Sequence, residues 1–125
     1  MSRRILVIDD SELIREAATV ALGLAGWAVD AQPGGEEGVA AARSAPPDGI
    51  LLDVMMPGLD GPSTLERLRT GDATRDVPVA FLTARAEEQG ERDALLALGA
   101  SAVIPKPFSL PQLAGQVSEA FGWST

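Results

Sequence analysis

The sequence contains neither cysteine nor histidine, and these two absences exclude much of the chemistry that proteins perform with titratable side chains. Without cysteine, the chain can form no disulfide and no thiolate metal site. Without histidine, it lacks the commonest transition-metal ligand and the usual general base. A metal ion bound by this chain must therefore be a hard cation that takes oxygen ligands.

Basic residues and long apolar runs are also scarce. The chain has 18 acidic and 10 basic residues, and its net charge is −8. Because nucleic-acid binding requires a basic surface that contacts phosphates, we expect no direct nucleic-acid binding. The apolar run at residues 5–8 is too short for a signal peptide, and no segment approaches the length of a membrane span. We therefore expect a cytoplasmic protein with no membrane segment.

The size and composition predict a single domain. Hydrophobic residues make up 46% of the 125 residues, which is enough to build one core without disulfides. No linker, low-complexity tract or internal repeat interrupts the chain, and only four residues follow Phe121. We expect one domain over residues 1–125.

Short apolar runs alternate with helical stretches five times. Strand-like runs lie at residues 5–8, 27–31, 49–54, 77–83 and 101–105, and helical stretches lie at residues 11–24, 36–43, 63–69, 87–98 and 109–121. The apolar runs are mostly continuous, which is typical of a parallel sheet covered on both faces. Five such units predict a flavodoxin-like α/β fold with strand order 2-1-3-4-5. Pro105 agrees, because that order makes strand 5 an edge, where proline is tolerated.

Two helix ends have recognisable signals. Gly99 follows the fourth helical stretch and is a typical residue just beyond a helix C-terminus. Ser109 and Gln112 have the spacing of a capping box at the start of the last helix.

Polar side chains follow four of the predicted strands. Asp9 and Asp10 follow strand 1, Asp53 ends strand 3, Thr83 ends strand 4, and Lys106, the only lysine of the chain, follows strand 5. Strands 1 and 3 are neighbours in the predicted order, so the three carboxylates should converge beyond the carboxyl ends of the strands. Burying an unpaired carboxylate costs several kcal/mol, so such a cluster requires positive charge.

The residue types at this edge predict a magnesium site that handles phosphate. Mg²⁺ takes carboxylate oxygens and water, and it often shares its ligand shell with a phosphate. Asp53 follows a buried apolar run, and a carboxylate can attack phosphorus to form an acyl phosphate. Lys106 is a compact point charge between two prolines, suited to neutralising a transferring phosphoryl group.

Each of these residues also has an ordinary structural interpretation. Taken alone, Asp10 could cap the first helix and Asp9 could be a solvated loop acid, and the sequence is equally consistent with that alternative. Lys106 could be a surface residue. The combination of three acids, a hydroxyl and the only lysine at four strand ends favours the site.

Four motifs resemble those of the receiver domain of bacterial two-component response regulators, in particular the single-domain chemotaxis regulators. They are ILVIDDS at 5–11, LLDVMMPGLDG at 51–61, FLTA at 81–84 and GASAVIPKPF at 99–108, and they cover essentially the whole chain. The resemblance implies that Asp53 is the phosphoacceptor. It implies that Asp10 ligates Mg²⁺ directly, that Asp9 acts mainly through water, and that the main-chain carbonyl of Met55 is a third ligand.

The same resemblance assigns the remaining site residues. It implies that the Thr83 hydroxyl bonds the phosphoryl group, that the Lys106 ammonium pairs with it, and that the Lys106–Pro107 bond is cis. Val103 stands where the family commonly has an aromatic ring that turns inward on phosphorylation. Valine is short and has few χ1 states, so we expect the response to phosphorylation to proceed without that ring.

We therefore expect a phosphorylation-operated signalling module that catalyses only its own phosphorylation and dephosphorylation. Its phosphoryl donor would be a sensor histidine kinase or a histidine phosphotransfer protein, and it would bind a downstream protein through the face formed by helix 4, strand 5 and helix 5.

Two alternatives remain open at the level of sequence. One is a Mg²⁺-dependent phosphatase that acts on a small phosphate ester through an aspartyl-phosphate. Such an enzyme would need a second acid at the position of Met55. A flavin-binding domain of the flavodoxin type would want a hydroxyl- and glycine-rich phosphate loop where Asp9 and Asp10 stand.

Overall fold

A computed structural model describes residues 3–123, in which strands and helices alternate without exception. The five strands are β1 (Arg4–Ile8), β2 (Ala28–Gln32), β3 (Gly49–Asp53), β4 (Val79–Thr83) and β5 (Ala102–Pro105). The five helices are α1 (Glu12–Gly23), α2 (Gly35–Ser44), α3 (Gly61–Thr70), α4 (Gln89–Ala97) and α5 (Leu110–Phe121). The limits of the predicted domain, residues 1 and 125, lie outside the described residues.

The strands form one parallel sheet in the order β2-β1-β3-β4-β5, which confirms the predicted flavodoxin-like fold. In its register, Ile8 pairs with Leu52, and Asp53 pairs with Leu82. Pro105 of the edge strand β5 pairs with Thr83 of β4. Because β5 has no neighbour on its outer side, the missing N–H of proline is tolerated there. The carboxyl ends of β1, β3, β4 and β5 therefore lie along one edge of the sheet.

The core has two layers because both faces of the sheet are covered. Along β1, Leu6 and Ile8 face the layer under α2, α3 and α4, whereas Ile5 and Val7 face the layer under α1 and α5. All four side chains are buried. Burial of alternate residues on opposite faces explains why the strands read as continuous apolar runs.

Several element boundaries differ from the predicted ones. Helix α3 begins two residues early, at Gly61, because the Asp60 side chain accepts the Ser63 N–H at 2.8 Å and caps it, with proline in the first turn. The predicted capping box of α5 is wrong. Ser109 is the N-cap residue, but its side chain makes no capping bond, and the Gln112 N–H donates to the Ser109 main-chain carbonyl at 3.1 Å.

Two further local predictions are confirmed. Gly99 follows the C-cap residue of α4 with φ +105°, a conformation that side chains rarely adopt. The Lys106–Pro107 peptide bond is cis. Within residues 3–123, no helix has the length and apolar character needed to span a membrane.

Candidate functional site

Three carboxylates converge at the carboxyl end of the sheet. Asp9 follows β1 with 0% of its surface exposed, Asp53 ends β3 with 3% exposed, and Asp10 is exposed at the mouth of the cluster. One carboxylate oxygen from each lies within 4.8 Å of the other two. The structure thus brings together the three acids that the strand order predicted to meet.

Lys106 supplies positive charge to this cluster from the far edge of the sheet. Its Nζ donates to Asp9 Oδ2 at 3.0 Å and to Asp53 Oδ1 at 2.9 Å. The lysine side chain is only 18% exposed, so both ion pairs are shielded from solvent. Lys106 is therefore not a free surface residue. One ammonium faces three carboxylates, so the cluster retains negative charge when all three are ionised.

Burial shifts the pKa values of Asp53 and Lys106. Desolvation raises the pKa of Asp53 to about 6, aided by the nearby charge of Asp9 and opposed by the hydrogen bond and charge of Lys106. Burial also acts to lower the pKa of Lys106, but its bonds to Asp53 and Asp9 outweigh burial, and the net pKa is raised. Lys106 is charged at neutral pH, whereas Asp53 is held closer to protonation than an exposed aspartate.

Asp9 is held by a partner at each of its polar groups. Its N–H donates to the Gln32 carbonyl at 3.2 Å, and its own carbonyl accepts from Arg15 Nη1 at 2.9 Å. Its Oδ1 accepts the Ser11 N–H at 2.9 Å, and its Oδ2 accepts from Lys106. Asp9 is therefore a buried and rigidly held carboxylate, and the alternative of a solvated loop acid is wrong.

The cap of α1 is Ser11 rather than Asp10. Ser11 has an extended backbone, and its Oγ accepts the Ile14 N–H at 3.3 Å. The Asp10 carboxylate, which makes no cap, is exposed beside the other two acids. Serine directly before a helical stretch is an N-cap signal in the sequence, and it could have decided between the two interpretations of Asp10.

Thr83 and Met55 lie around the cluster without a side-chain bond to the acids among the described residues. Thr83 ends β4 with 4% exposed, its Oγ1 accepts the Arg85 N–H at 3.0 Å, and its carbonyl accepts the Lys106 N–H at 2.9 Å. Met55 follows Asp53 by two residues in the loop before α3, and the residue is 71% exposed. The roles of both residues stay predictions.

Gly61 allows α3 to begin directly behind the acidic cluster. Its N–H donates to the Val54 carbonyl at 2.9 Å. A Cβ at this position would collide with the Asp53 carbonyl oxygen and lie 2.8 Å from Val54 Cα. Glycine is therefore required for α3 to pack against the main chain that presents Asp53.

The donor set fits a magnesium ion. The cluster offers carboxylate oxygens only, close enough together to share one small cation, and it has excess negative charge. Asp9 already accepts a hydrogen bond at each carboxylate oxygen, so Asp10 and Asp53 are the acids best placed to ligate directly.

Comparison with known sequences identifies the family. The sequence model of the response regulator receiver domain matches residues 5–118. Response regulator MprA of Mycobacterium tuberculosis is 44% identical over 114 residues, which cover 90% of this chain and 48% of MprA. The chain thus spans about half the length of the relatives that it matches.

Solved structures agree with the sequence comparison. The chemotaxis protein CheY4 of Vibrio cholerae is 28% identical, with a TM-score of 0.88 over 96% of this chain and 99% of CheY4. The receiver domain of sensor histidine kinase PA1611 from Pseudomonas aeruginosa is 30% identical, with a TM-score of 0.86 over 98% of this chain and 99% of that domain. The PA1611 structure has a magnesium ion coordinated in the active-site cleft.

The relatives are a response regulator, a chemotaxis protein and the receiver domain of a sensor histidine kinase, and none of these comparisons supports the phosphatase alternative. The matched region includes all the residues of the acidic cluster and Lys106. The chain belongs to the receiver domain family of two-component response regulators, the family of phosphorylation-dependent signalling modules.

Proposed function

We propose that this chain accepts a phosphoryl group on Asp53 from a phosphohistidine donor, with Mg²⁺ bound beside it, and then signals by binding a protein partner. The observation that carries the proposal is the double ion pair of Lys106 with buried Asp9 and Asp53, next to the exposed carboxylate of Asp10. This arrangement combines a nucleophilic oxygen on Asp53, the fixed positive charge of Lys106 and a carboxylate, Asp10, that is free to bind a cation.

The transfer requires few groups from the protein. A carboxylate oxygen of Asp53 attacks phosphorus, a P–O bond forms, and the P–N bond to the donor imidazole breaks. The leaving nitrogen takes a proton from solvent. Lys106, already 2.9 Å from Asp53, provides fixed positive charge for the oxygens of the transferred group.

The metal site of the proposal consists of Asp10, Asp53 and the main-chain carbonyl of Met55, with Asp9 acting through water. A bound Mg²⁺ supplies positive charge that favours the ionised form of Asp53 and neutralises phosphoryl oxygens. Asp9 suits an indirect role because Ser11 and Lys106 already donate to its two carboxylate oxygens.

Thr83 is the proposed link to the rest of the domain. Its oxygen accepts the Arg85 N–H, which leaves the hydroxyl hydrogen free to donate to a phosphoryl oxygen. Val103 is buried under α4 with 5% exposed and cannot reproduce the inward turn of an aromatic ring. We propose that the response is carried by Thr83, Lys106 and a shift of α4.

The partners complete the proposal. The donor is a sensor histidine kinase or a histidine phosphotransfer protein, and the downstream protein binds the face formed by α4, β5 and α5. The chain catalyses only its own phosphorylation and dephosphorylation. It acts in the cytoplasm as one receiver domain over residues 1–125.

Intact-mass spectrometry after incubation with acetyl phosphate and Mg²⁺ tests the phosphoacceptor. We expect one phosphoryl adduct on the wild type, none on Asp53→Asn, and an unchanged yield on Asp72→Asn, a control at an exposed aspartate. An adduct of equal yield on Asp53→Asn would contradict the assignment. Continuous release of phosphate from a small ester at many turnovers would favour the phosphatase alternative.

NMR with and without beryllofluoride, which mimics a phosphoryl group, tests the link through Thr83. We expect large backbone shifts in residues 84–98, small changes in the Val103 side chain, and loss of both in Thr83→Ala. A full response in Thr83→Ala would show that the coupling runs through another residue.

A further inference from the structure

Arg15 connects α1 to the strand end that presents the acidic pair. It lies in the first turn of α1, where its main-chain N–H donates to the Ser11 carbonyl at 3.0 Å. From this position its half-buried side chain reaches back, and Nη1 donates to the Asp9 carbonyl at 2.9 Å. The arginine thus bonds the main chain of the site and none of its carboxylates.

The bonded carbonyl belongs to the peptide group that joins the two acids. A peptide group is planar from one Cα to the next, so the Asp9 carbonyl and the Asp10 N–H lie in one plane. Rotation of that plane would redirect the carboxylates of Asp9 and Asp10 relative to each other and to Asp53. The preceding peptide group, between Ile8 and Asp9, is held separately, because the Asp9 N–H donates to the Gln32 carbonyl of β2 at 3.2 Å.

We propose that Arg15 is a positioning residue for cation binding, which holds the Asp9–Asp10 peptide so that both carboxylates stay aimed at the ion. The inference rests on the Mg²⁺ site of the proposed function and adds to it a residue outside the ligand set. Arg15 follows Asp9 by six residues, so its contribution depends on the helix bringing it back to the strand end.

The positioning role and the charge of Arg15 have opposite effects on cation affinity. A guanidinium near the site repels Mg²⁺, so loss of its charge alone would tighten binding. Loss of the bond to the Asp9 carbonyl would loosen the acidic pair and weaken binding. The sign of the change therefore separates the two effects.

Isothermal titration calorimetry with Mg²⁺ on the full chain measures that sign. Arg15→Met keeps a long apolar side chain but has no donor, and we expect its dissociation constant to rise about tenfold, as when an outer partner of a metal ligand is lost. Arg15→Lys can still donate one bond without the planar guanidinium, so we expect an intermediate loss. The matched control is Arg69→Met, because Arg69 is also half-buried and donates to main-chain carbonyls, those of Val77 at 2.7 Å and Arg75 at 3.2 Å, away from the acidic cluster.

A second measurement separates positioning from general damage to the site. We expect the rate of phosphorylation by acetyl phosphate in Arg15→Met to return to within about twofold of the wild type at saturating Mg²⁺, with only the half-saturating Mg²⁺ concentration raised. Unfolding in EDTA shows whether each variant is folded, and Arg15→Lys carries the test if Arg15→Met is not.

Unchanged or tighter Mg²⁺ binding in the Arg15 variants would overturn the inference, as would an equal loss in Arg69→Met. Asp10→Asn separates a failure of the Arg15 inference from a failure of the proposed metal site. If Asp10→Asn loses Mg²⁺ affinity while the Arg15 variants do not, the metal site stands and the inference fails. If Asp10→Asn binds Mg²⁺ like the wild type, the metal site itself is wrong.

Discussion

The two ends of the sheet are stabilised by different means. The carboxyl end holds Asp9 and Asp53, two buried acids that share one lysine. At the amino end, Trp27, Phe121 and Trp123 pack edge to face, with ring centroids 5.2 Å and 5.1 Å apart at the two contacts. At the carboxyl end, like-charged carboxylates lie close together although they repel each other. At the amino end, the aromatic contacts are favourable by themselves.

The amino end also accommodates a charge at low cost. The Arg3 guanidinium lies 4.7 Å from the centre of the Trp123 ring, where the ring face attracts a cation. Gly49 begins β3 below these rings, and its missing side chain leaves room for Phe121 and Trp123. This end favours stability alone, whereas the carboxyl end keeps excess negative charge at neutral pH that a bound cation would neutralise.

The largest expected effect comes from removing the cation at the carboxyl end. Lys106→Met leaves Asp9 and Asp53 buried without their shared partner, and we expect the metal-free protein to lose about 3 kcal/mol of unfolding free energy near neutral pH. Urea unfolding in EDTA measures this loss. In an Asp53→Asn background the same substitution should cost less, because one of the two stranded charges is gone. Equal stability of Lys106→Met and wild type would mean that the ion pairs contribute no net stability.

A slightly smaller effect should follow the titration of Asp53. Its pKa is about 6 in the folded protein and 3.8 as an ordinary aspartate, so the folded state binds the proton more tightly. Protonation of Asp53 therefore stabilises the folded state. This contribution to the unfolding free energy is complete below pH 4, and about 2 to 3 kcal/mol is lost as the pH rises through 6.

Asp53→Asn provides the reference that isolates this titration from that of other acids. In metal-free buffer, the wild type should lose stability relative to Asp53→Asn between pH 4 and pH 7, as measured by urea unfolding. A stability difference between the two proteins that stays constant over this range would contradict the raised pKa.

Overpacking the amino end should reduce stability without touching the site. In Gly49→Ala the new Cβ would lie 2.6 Å from Phe121 Cε2 and 3.1 Å from Trp123 Cη2. We expect a loss of about 1 to 3 kcal/mol in urea unfolding, because the rings must shift. Mg²⁺ affinity should not change. A change in Mg²⁺ affinity as large as that in Asp10→Asn would show that the two ends are coupled.

The smallest expected effect is the loss of the cation over the aromatic ring. Arg3→Gln should cost about 0.5 to 1 kcal/mol of unfolding free energy, and Arg3→Lys should retain part of it. In a Trp123→Leu background, the Arg3→Gln substitution should cost close to nothing. A cost that persists there would assign the stabilising role of Arg3 to another contact.

Most of the fold could be predicted from the sequence because each strand is marked locally. Continuous apolar runs such as residues 5–8 indicate strands buried on both faces, and the alternation with helices leaves few topologies. The start of α3 and the cap of α5 were less accurately predicted. A side-chain cap such as that of Asp60 depends on the loop conformation, and at Ser109 the expected capping bond is not made.

By itself, the sequence determined the strand order, the five polar residues that follow the strands and the family to which the motifs belong. Only the tertiary structure decided which charges are paired, because Lys106 and Asp9 are 97 residues apart and meet through the sheet. It also decided that Arg15 bonds the Asp9 carbonyl. Periodicity and motifs record which residues follow a strand, whereas a hydrogen bond depends on the position of side chains in space, which packing of the helices on the sheet establishes.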